Sequence, residues 1–556
     1  MHIATVDLSS INGLKMAKEV IAGNLTSTYF LDSGDRVFLA DGASLITTAQ
    51  DGLRFRTAAV TNVNLFIEGT IQTSGLIGNM FSGIRLTNSG LGENLIRVGQ
   101  TGEVHSDSTA ILALGSNTTI QNDGLISGYN GIELSGNGNL VQNTGVIEFG
   151  LTGIGIAFSA TGLENIVYNS GIISQDADFG APGIGNFGIS LFVANAKIVN
   201  SGLIDGANGI SSMGGHSYIK NSGNIDATFA AVTLGSIDNT VNNSGTLSSI
   251  AGSGTVQFGL GLNQSLNNSG TILSAGVAVV GNVGSVFNSG DIIAKGTGIF
   301  NLSGASFSLN NTGLIEAGNY GIYVSSFSSS ASALIVNDGT ISGHLNPGTS
   351  GFSIILTSGA GRIVNNGTLL GDVSLGSVYN AFVNSGKVDG NITAMAGTLI
   401  YRSTTSGFVI GDINGSGGND VLQGGNSVDR LFGNGGTDQL SGGGGNDLVV
   451  GGGGSDLLAG GLGADAFVFA LAQDIASLGR SDRITDFQAG IDHIDLSAFM
   501  AGGRFIGGAL FTGHADEVRY NAATGQLVGD VNGDRVFDWS MALTNKAALT
   551  AGDFIF

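Results

Sequence analysis

The middle of the chain carries a repeated pattern of apolar and polar positions. An Asn followed by Ser, Thr, Asp or Asn and then by Gly recurs at spacings of 19 to 34 residues. The residue two positions before each Asn is apolar, and the residue four positions after it is Ile, Val or Leu in every copy except the first, where it is Gly92. The repeated residues are Asn88, Asn122, Asn143, Asn169, Asn200, Asn221, Asn243, Asn268, Asn288, Asn311, Asn337, Asn365 and Asn384.

These apolar positions predict stacked parallel strands. Positions two before and four after the Asn have the same parity, so on extended strands their side chains face the same side. One unit cannot bury its apolar row alone, whereas stacked units bury it continuously and place the variable spacing in loops. We therefore predict an all-β chain with a right-handed parallel β-helix over residues 61–405, preceded by an N-terminal cap segment over residues 1–60.

The fixed position of Asn within the repeat also carries information. We expect these Asn side chains to form hydrogen-bonded ladders or turn caps. A β-sandwich of many short strands is the alternative fold. It explains the alternation of apolar and polar residues but not the constant phase of Asn and Gly.

A second, shorter repeat begins at residue 415. Its period is nine residues, with several glycines, an Asp in the sixth position and a large apolar residue in the eighth. A flexible glycine linker predicts no such fixed spacing. The aspartates are Asp420, Asp429, Asp438, Asp447, Asp456 and Asp465, and the apolar residues are Leu422, Leu431, Leu440, Val449, Leu458 and Phe467.

This pattern resembles the RTX, or hemolysin-type, calcium-binding repeat, which reads Gly-Gly-x-Gly-x-Asp-x-large-x. The resemblance implies a parallel β-roll over residues 411–469, with two nonapeptides per turn and Ca²⁺ in the glycine loops between turns. The pattern is not perfect, because Ser416, Ser427 and Asn434 stand at glycine positions. The metal residues that the resemblance implies are Asp420, Asp438 and Asp456 on one edge, Asp429, Asp447 and Asp465 on the other, and Gly418, Gly436, Gly445, Gly454 and Gly463 in the turns.

Elementary electrostatics supports a cation in such a roll. Carboxylates stacked about 5 Å apart repel each other by roughly 3 kcal/mol per pair at an effective dielectric constant near 20. A hard dication with oxygen ligands reverses the sign of this interaction, and glycine lets backbone carbonyls approach the ion closely. We therefore expect folding of the roll and calcium binding to be one event.

The sequence after the repeats predicts how the chain is exported. The segments GADAFVF (463–469), SDRITDFQAGIDHIDLSAF (481–499), YNAATGQLVGDVNGDRVFDW (520–539) and DFIF (553–556) resemble the C-terminal domain of serralysin-type secreted proteins. The resemblance implies a cap on the roll and a type I secretion signal within residues 470–556. An N-terminal signal peptide is not visible in the first residues. We therefore expect a bacterial protein that is secreted or lies at the cell surface, with the type I secretion machinery and calcium ions as partners.

Composition limits the other partners. The chain has 20 Lys and Arg against 42 Asp and Glu, a formal net charge of −22. This balance argues against nucleic acid and favours cations. Without cysteine the chain has no disulfide or thiolate metal site, and it contains no apolar run long enough for a transmembrane helix.

The sequence gives little support to an enzyme. A zinc protease is excluded because the His-Glu-x-x-His motif of serralysins is absent. The weak catalytic candidates are Asp205 and Asp226, which have the same outward phase on adjacent predicted coils and could serve as an acid/base pair. We predict a structural or adhesive extracellular role, with a polysaccharide or cell surface as partner. The alternative is a β-helix polysaccharide lyase or epimerase, which a deep carboxylate-lined groove with a nearby base would favour.

Overall fold

The structure, a computed structural model, describes residues 19–56, 62–74, 81–87, 92–159, 163–176, 186–302, 306–325, 332–344, 351–376, 378–471 and 481–556. Asn88 and much of the predicted N-terminal cap segment lie outside the described residues. The chain divides into two compact units, Met1–Lys295 (unit 1) and Gly296–Phe556 (unit 2), and each is described by itself. The domain boundaries predicted above stay predictions.

Unit 1 is a parallel β-solenoid in which successive coils pair in register. Its strands form two groups, which we call sheets 1A and 1B. Sheet 1A consists of Glu19–Ile21, Arg36–Leu39, Asn64–Ile67, Asn94–Val98, Thr118–Asn122, Leu140–Asn143, Ile166–Asn169, Lys197–Asn200, Tyr218–Asn221, Thr240–Asn243, Gln264–Asn268 and Val283–Asn288. Sheet 1B consists of Tyr29–Leu31, Ser44–Thr48, Leu53–Phe55, Thr70–Ser74, Ile84–Thr87, Glu103–Leu114, Leu125–Ser135, Val146–Phe149, Ile154–Phe158, Ile172–Gln175, Phe187–Leu191, Leu203–Ser212, Asn224–Leu234, Thr246–Ser249, Val256–Phe258, Thr271–Ser274, Val277–Gly281 and Asp291–Ala294.

The parity argument explains how these coils pack. Ile120, two residues before Asn122, and Ile126, four residues after it, are both fully buried, and the corresponding residues of the next coils are buried as well. Since a row of branched apolar side chains then fills the interior of every coil, burial is continuous along the unit. The predicted all-β parallel solenoid is therefore confirmed.

The repeated Asn residues form a ladder inside the solenoid. Nδ2 of Asn200 donates to Oδ1 of Asn221 at 2.8 Å, and Nδ2 of Asn221 donates to Oδ1 of Asn243 at 2.8 Å. In unit 2, Asn311 donates in the same way to Asn337, at 2.8 Å. These side chains are buried, so each rung satisfies polar atoms that would otherwise be costly to bury.

Unit 2 also consists of parallel coils, and its strands form sheets 2A and 2B. Sheet 2A consists of Phe307–Asn311, Ser332–Asn337, Ala360–Asn365, Tyr379–Asn384, Thr398–Ser403, Val421–Gln423, Gln439–Gly444, Leu457–Leu462, Arg483–Ile484, Arg504–Phe505, Glu517–Asn521, Gln526–Asp530 and Trp539–Leu543. Sheet 2B consists of Thr297–Asn301, Leu314–Ala317, Tyr320–Val324, Thr340–Ser342, Phe352–Leu356, Thr368–Leu370, Asp372–Leu375, Lys387–Asp389, Ile392–Ala394, Phe408–Val409, Ile413–Asn414, Arg430–Gly436, Leu448–Gly454, Ala466–Val468, His493–Asp495 and Phe554–Ile555. Apart from a single 3₁₀ turn at Ala551–Asp553, the elements in the described parts of the chain are strands.

Within unit 2 the nonapeptide coils stack directly on the Asn-containing coils. Strand Thr398–Ser403 pairs in parallel with strand Val421–Gln423, and Tyr401 lies opposite Leu422. The amide of Leu399 donates to Oδ1 of Asp420 at 2.6 Å. The sheet hydrogen bonds therefore continue from one repeat into the other.

The end of unit 2 changes direction. Strand Gln526–Asp530 pairs antiparallel with both Glu517–Asn521 and Trp539–Leu543. Trp539–Leu543 in turn pairs in parallel with Arg483–Ile484, which lies against the last nonapeptide coils. This small antiparallel segment covers the strand edge that the roll would otherwise leave open.

Candidate metal site

The aspartates of the nonapeptides lie at the bends of the roll. Each stands two residues before a buried apolar side chain, for example Asp438 before Leu440, and all six are between 0% and 2% exposed. The backbone carbonyl of Asp420 accepts a hydrogen bond from the amide of Gln439 at 2.9 Å, so the backbone at the bend already belongs to the ladder. The carboxylates are therefore held in place by main-chain pairing on both sides.

The carboxylates form two rows, one on each edge of the roll. On the first edge the amide of Asp420 donates to Oδ1 of Asp438 at 2.7 Å, and the amide of Asp438 donates to Oδ1 of Asp456 at 2.9 Å. On the second edge Asp429 donates to Asp447, and Asp447 to Asp465, both at 2.8 Å. One oxygen of each accepting carboxylate thus supports the neighbouring coil.

The second oxygen of several carboxylates has no such role. Oδ2 of Asp438, Asp447 and Asp465 is buried and, within the described part of the chain, has no hydrogen-bond partner. Buried oxygens that carry charge and lack a partner are costly unless a cation is present. These atoms are therefore candidate ligands of a cation.

The first glycine of each nonapeptide makes room for this oxygen. A Cβ atom on Gly433 or Gly442 would lie closer than 3.0 Å to Oδ2 of Asp438 or Asp447, respectively. Any side chain at these positions would fill the space around the unpartnered oxygen. Glycine is thus required for the space as well as for the turn.

The glycines predicted to belong to the metal site lie in turns that stack on one another. Gly436, Gly445, Gly454 and Gly463 have φ values of +125°, +120°, +150° and +134°, a region that other residues rarely adopt. A Cβ atom on Gly454 would lie closer than 3.0 Å to the carbonyl oxygen of Gly436 on the preceding turn, and Gly418, without a positive φ, would have the same conflict with Gly397. This stacking brings successive turns and their carbonyl groups close together.

The electrostatics of the roll is unfavourable without a cation. Burial, together with the charges of the neighbouring Asp456 and Asp420, raises the pKa of Asp438 to about 7, against the lowering effect of a backbone hydrogen bond. Burial likewise raises the pKa of Asp447 to about 7, with the same support from Asp465 and Asp429. At neutral pH these carboxylates therefore hold their charge poorly unless positive charge is bound nearby.

The two rows extend beyond the nonapeptides, which the sequence pattern did not reveal. The amide of Asp456 donates to Oδ1 of Asp482 at 2.8 Å, and the amide of Asp465 donates to Oδ1 of Asp492 at 3.1 Å. Both added aspartates stand two residues before a buried isoleucine, Ile484 or Ile494, as in the repeats. The spacing of 26 and 27 residues breaks the period of nine, so only the Asp-x-apolar signature could have identified them.

The available ligands fit a hard cation. In the described residues, no group of three or more His, Asp or Glu side chains is gathered in a form that could hold a metal ion. Between two turns, the oxygens that an ion could reach are those of the aspartates and of the glycine carbonyls. An all-oxygen ligand set of this kind suits Ca²⁺ and not the softer transition metals.

Comparison with known proteins supports this interpretation of the C-terminal part. Residues 380–556 match the peptidase M10 serralysin C-terminal family. Members of this family and of the RTX repeat families generally bind calcium and are typically secreted bacterial proteins. The matched residues begin within the Asn-containing coils and include the whole roll and its cap.

Other comparisons add less. One similar solved structure is the solution structure of the AlgE6R3 subunit from the Azotobacter vinelandii mannuronan C5-epimerase, at 36% identity and a TM-score of 0.21. The match covers 25% of this chain and 78% of that one. The comparison with curated proteins finds no match. No helix in the described residues is long and apolar enough to cross a membrane.

The weak catalytic candidates lie in unit 1, away from the serralysin-type domain in sequence. Asp205 and Asp226 are directly opposite each other on paired strands. Burial, and then the charge of Asp226, raise the pKa of Asp205, while Oγ of Ser248 donates to Oδ1 of Asp226 at 2.7 Å. The pair has the predicted stacking, but its catalytic role stays a prediction.

Proposed function

We propose that this chain is a secreted bacterial calcium-binding protein of RTX type, in which the roll folds on calcium after export and the solenoid has a structural or adhesive role. The observation that carries the proposal is the pair of buried carboxylate rows with unpartnered oxygens. A roll with this charge distribution is poorly stable alone and strongly stabilised by a divalent cation. Calcium therefore acts as the signal that the chain has reached the outside of the cell.

The residues proposed to hold the ions are Asp420, Asp429, Asp438, Asp447, Asp456 and Asp465 together with the glycine turns. Asp482 and Asp492 extend the two rows toward the cap. Calcium supplies the positive charge that offsets burial of these carboxylates. The protein supplies the spacing, through the amide-to-carboxylate hydrogen bonds of adjacent coils, and the close approach, through glycine.

The outer surface of unit 1 favours adhesion over catalysis. Its sheet 1A presents rows of amide and hydroxyl side chains, such as Gln142 and Ser201. The stacked pair Asp205 and Asp226 is the feature that favours the alternative, a carbohydrate-active enzyme. Replacing Asp205 with Asn and measuring turnover of neutral and acidic polysaccharides separates the two roles.

Calcium-dependent folding is tested with the fluorescence of Trp539. The chain has a single tryptophan, which is fully buried and lies in the cap that pairs with the end of the roll. We expect its emission to shift to longer wavelength when the full-length protein is placed in excess chelator, and to return with millimolar calcium. Magnesium at the same concentration is the control, because it demands a smaller octahedral site and gives up water reluctantly. An emission spectrum that is the same in chelator and in calcium would falsify the proposal.

Export is tested separately. We expect a chain that lacks residues 470–556 to remain inside cells that co-express a type I exporter, while the full chain appears in the medium. Equal amounts of both in the medium contradict the export part of the proposal and leave calcium binding untouched.

A further inference from the structure

A shallow groove runs along the outer face of sheet 1A. Its walls are the side chains immediately before and immediately after each ladder Asn, and we call it the 1A groove. One stretch has a volume of about 440 Å³ and crosses the strands that contain Arg97, Gln121, Gln142, Tyr168 and Val199. A second stretch of about 280 Å³ crosses the next strands, which contain Lys220, Asn242, Asn267 and Phe287. The two stretches together cross nine successive paired strands, Asn94–Val98 to Val283–Asn288.

Most of the residues that line the 1A groove have uncharged polar side chains. Among the residues that line its two stretches, the charged ones are Arg97, Asp123 and Lys220. Nη2 of Arg97 donates to Oδ2 of Asp123 at 3.2 Å, so this pair neutralises itself. The net charge of the whole chain is −22, which disfavours polyanions. The groove therefore suits an uncharged ligand.

The polar side chains of the groove offer both hydrogen-bond donors and hydrogen-bond acceptors. Nε2 of Gln121 donates to Oε1 of Gln142 at 3.0 Å, and Nδ2 of Asn267 donates to Oδ1 of Asn242 at 2.7 Å. Each amide bonded in this way retains a further N–H and a further lone pair. On the other wall stand hydroxyl groups that donate to backbone carbonyls of the preceding coil and keep lone pairs that can accept, those of Thr144, Ser170, Ser201, Ser244 and Ser269. Such walls match a ligand whose own groups both donate and accept, as sugar hydroxyls do.

Each stretch of the groove also contains an exposed aromatic ring. Tyr168 is 36% exposed in the first stretch, with the ammonium group of Lys197 lying 5.5 Å from its ring centre, and Phe287 is 44% exposed in the second. A pyranose ring has an apolar C–H face that packs on an aromatic ring, while its hydroxyl edge forms hydrogen bonds. Amides, hydroxyls and aromatic rings together are thus the combination that a sugar requires.

The repeat of the groove selects a polymer. The same kinds of side chain recur on each strand, about 4.8 Å apart along the stack. A ligand that uses successive strands must repeat its groups at a comparable spacing, and an extended chain of pyranose units does so. We propose that the 1A groove binds an uncharged linear polysaccharide along the stack of sheet 1A. This inference deepens the adhesive role proposed above and rests on it.

The test uses full-length protein in millimolar calcium and isothermal titration calorimetry. The probes are hexasaccharides of β-1,4-linked glucose, mannose and N-acetylglucosamine, with a mannuronate hexamer as the acidic probe. We expect at least one neutral hexasaccharide to bind, and to bind more tightly than the mannuronate hexamer. Tyr168→Ala should weaken that binding by about tenfold, whereas Tyr168→Phe, which keeps the ring, should stay within about threefold.

A matched control is available in the same unit. Phe30 is 44% exposed, as Phe287 is, but lies on sheet 1B outside the groove. Phe287→Ala should weaken binding of the longer neutral glycans, and Phe30→Ala should leave it unchanged. The inference is overturned if no neutral hexasaccharide binds, if the mannuronate hexamer binds best, or if Tyr168→Ala binds as the parent does. Trp539 fluorescence on the same samples reports calcium-dependent folding independently, so a folded protein that binds none of the glycans loses this inference only.

Discussion

The amide of Asp420 donates a hydrogen bond to Oδ1 of Asp438, one turn further along the roll, at 2.7 Å. The same carboxylate leaves Oδ2 buried and without a hydrogen-bond partner in the described residues. One side chain thus has two functions, since one oxygen fixes the distance between turns and the other is available to a cation. The predictions for Asp447, for the pH dependence and for Gly442 follow from these two functions of one carboxylate.

Replacing Asp447 with Asn should act in opposite directions with and without calcium. The amide removes a buried negative charge that neighbours Asp429 and Asp465 oppose, so the calcium-free protein should melt at a higher temperature. Calcium affinity should fall roughly tenfold, equivalent to about 1.4 kcal/mol. Asp412→Asn is the control, because Asp412 lies in the same roll but is partly exposed and paired with Arg430. Unchanged calcium affinity in Asp447→Asn, measured by titration calorimetry, contradicts the assigned ligand.

The stability of the calcium-free roll should fall as the pH rises. The pKa of Asp438 and of Asp447 is raised from 3.8 to about 7 in the folded protein, so the folded state binds protons more tightly than the unfolded chain between these values. The stabilisation is complete below about pH 4 and is lost as the pH passes 7. Melting curves of Trp539 fluorescence in chelator at pH 5 and pH 8 should therefore show the higher midpoint at pH 5.

Calcium should reverse this order, because the ion binds the deprotonated carboxylates. The titration of Glu517 does not affect the comparison of melting midpoints at pH 5 and pH 8. Burial tends to raise it, but hydrogen bonds from Thr512 and the pairing with Arg504 lower it to about 2, so its stabilising effect is lost only in more acidic solution. Equal midpoints at pH 5 and pH 8 in chelator rule out the buried-carboxylate explanation.

Gly442→Ala should damage the roll by filling the space beside a carboxylate. A Cβ atom there would lie closer than 3.0 Å to Oδ2 of Asp447, and φ of Gly442 is not in the left-handed region, so the effect is steric. We expect a loss of about 1–3 kcal/mol in the stability of the calcium-bound roll, measured by denaturation followed at Trp539. Gly417→Ala is the matched control, because a Cβ atom at Gly417 meets nothing within 4 Å. If both variants lose the same stability, the space beside Oδ2 of Asp447 has no special role.

The buried Asn side chains of the ladder should contribute to the stability of unit 1, whereas the exposed Asn side chains next to them should contribute little. Asn268 accepts from Nδ2 of Asn243 and donates to Oδ1 of Asn288, both at 2.8 Å. Asn268→Ala removes both of these hydrogen bonds between buried side chains, so it should cost about 1–3 kcal/mol in denaturation followed by circular dichroism. The adjacent Asn267 is exposed, and Asn267→Ala should change stability by less than about 0.5 kcal/mol. A similar loss in both variants means that the ladder adds nothing beyond the local strand.

The repeats were predictable because their geometry imposes constant residues. Ile120 and Ile126 must both point inward, so the parity of the sequence was sufficient to predict a stacked parallel solenoid. The period of nine predicted the aspartates from Asp420 to Asp465 for the same reason, since each glycine turn has a fixed length. The period of nine did not predict Asp482 and Asp492, because the chain between turns is longer there. The bend itself keeps its Asp-x-Ile sequence.

The 1A groove could not be predicted from the repeat. The position before each ladder Asn holds Gln121, Tyr168 or Lys220 in different coils, so no consensus marks it. Only the register between coils shows that these side chains lie on one line. Burial of apolar residues constrains a solenoid strongly on the inside, whereas its outer surface is free to vary with the ligand.

The contact between Tyr401 and Leu422 joins the serralysin-type roll to the coil before it. As long as the roll is folded, strand Val421–Gln423 satisfies the backbone groups of strand Thr398–Ser403. Withdrawing calcium would unmask those groups and turn the last coil into an open template for other chains. If the roll folds on calcium as proposed, scarcity of the ion would then do more than loosen the end of the chain, because it would also make the last coil competent for end-to-end pairing with other chains.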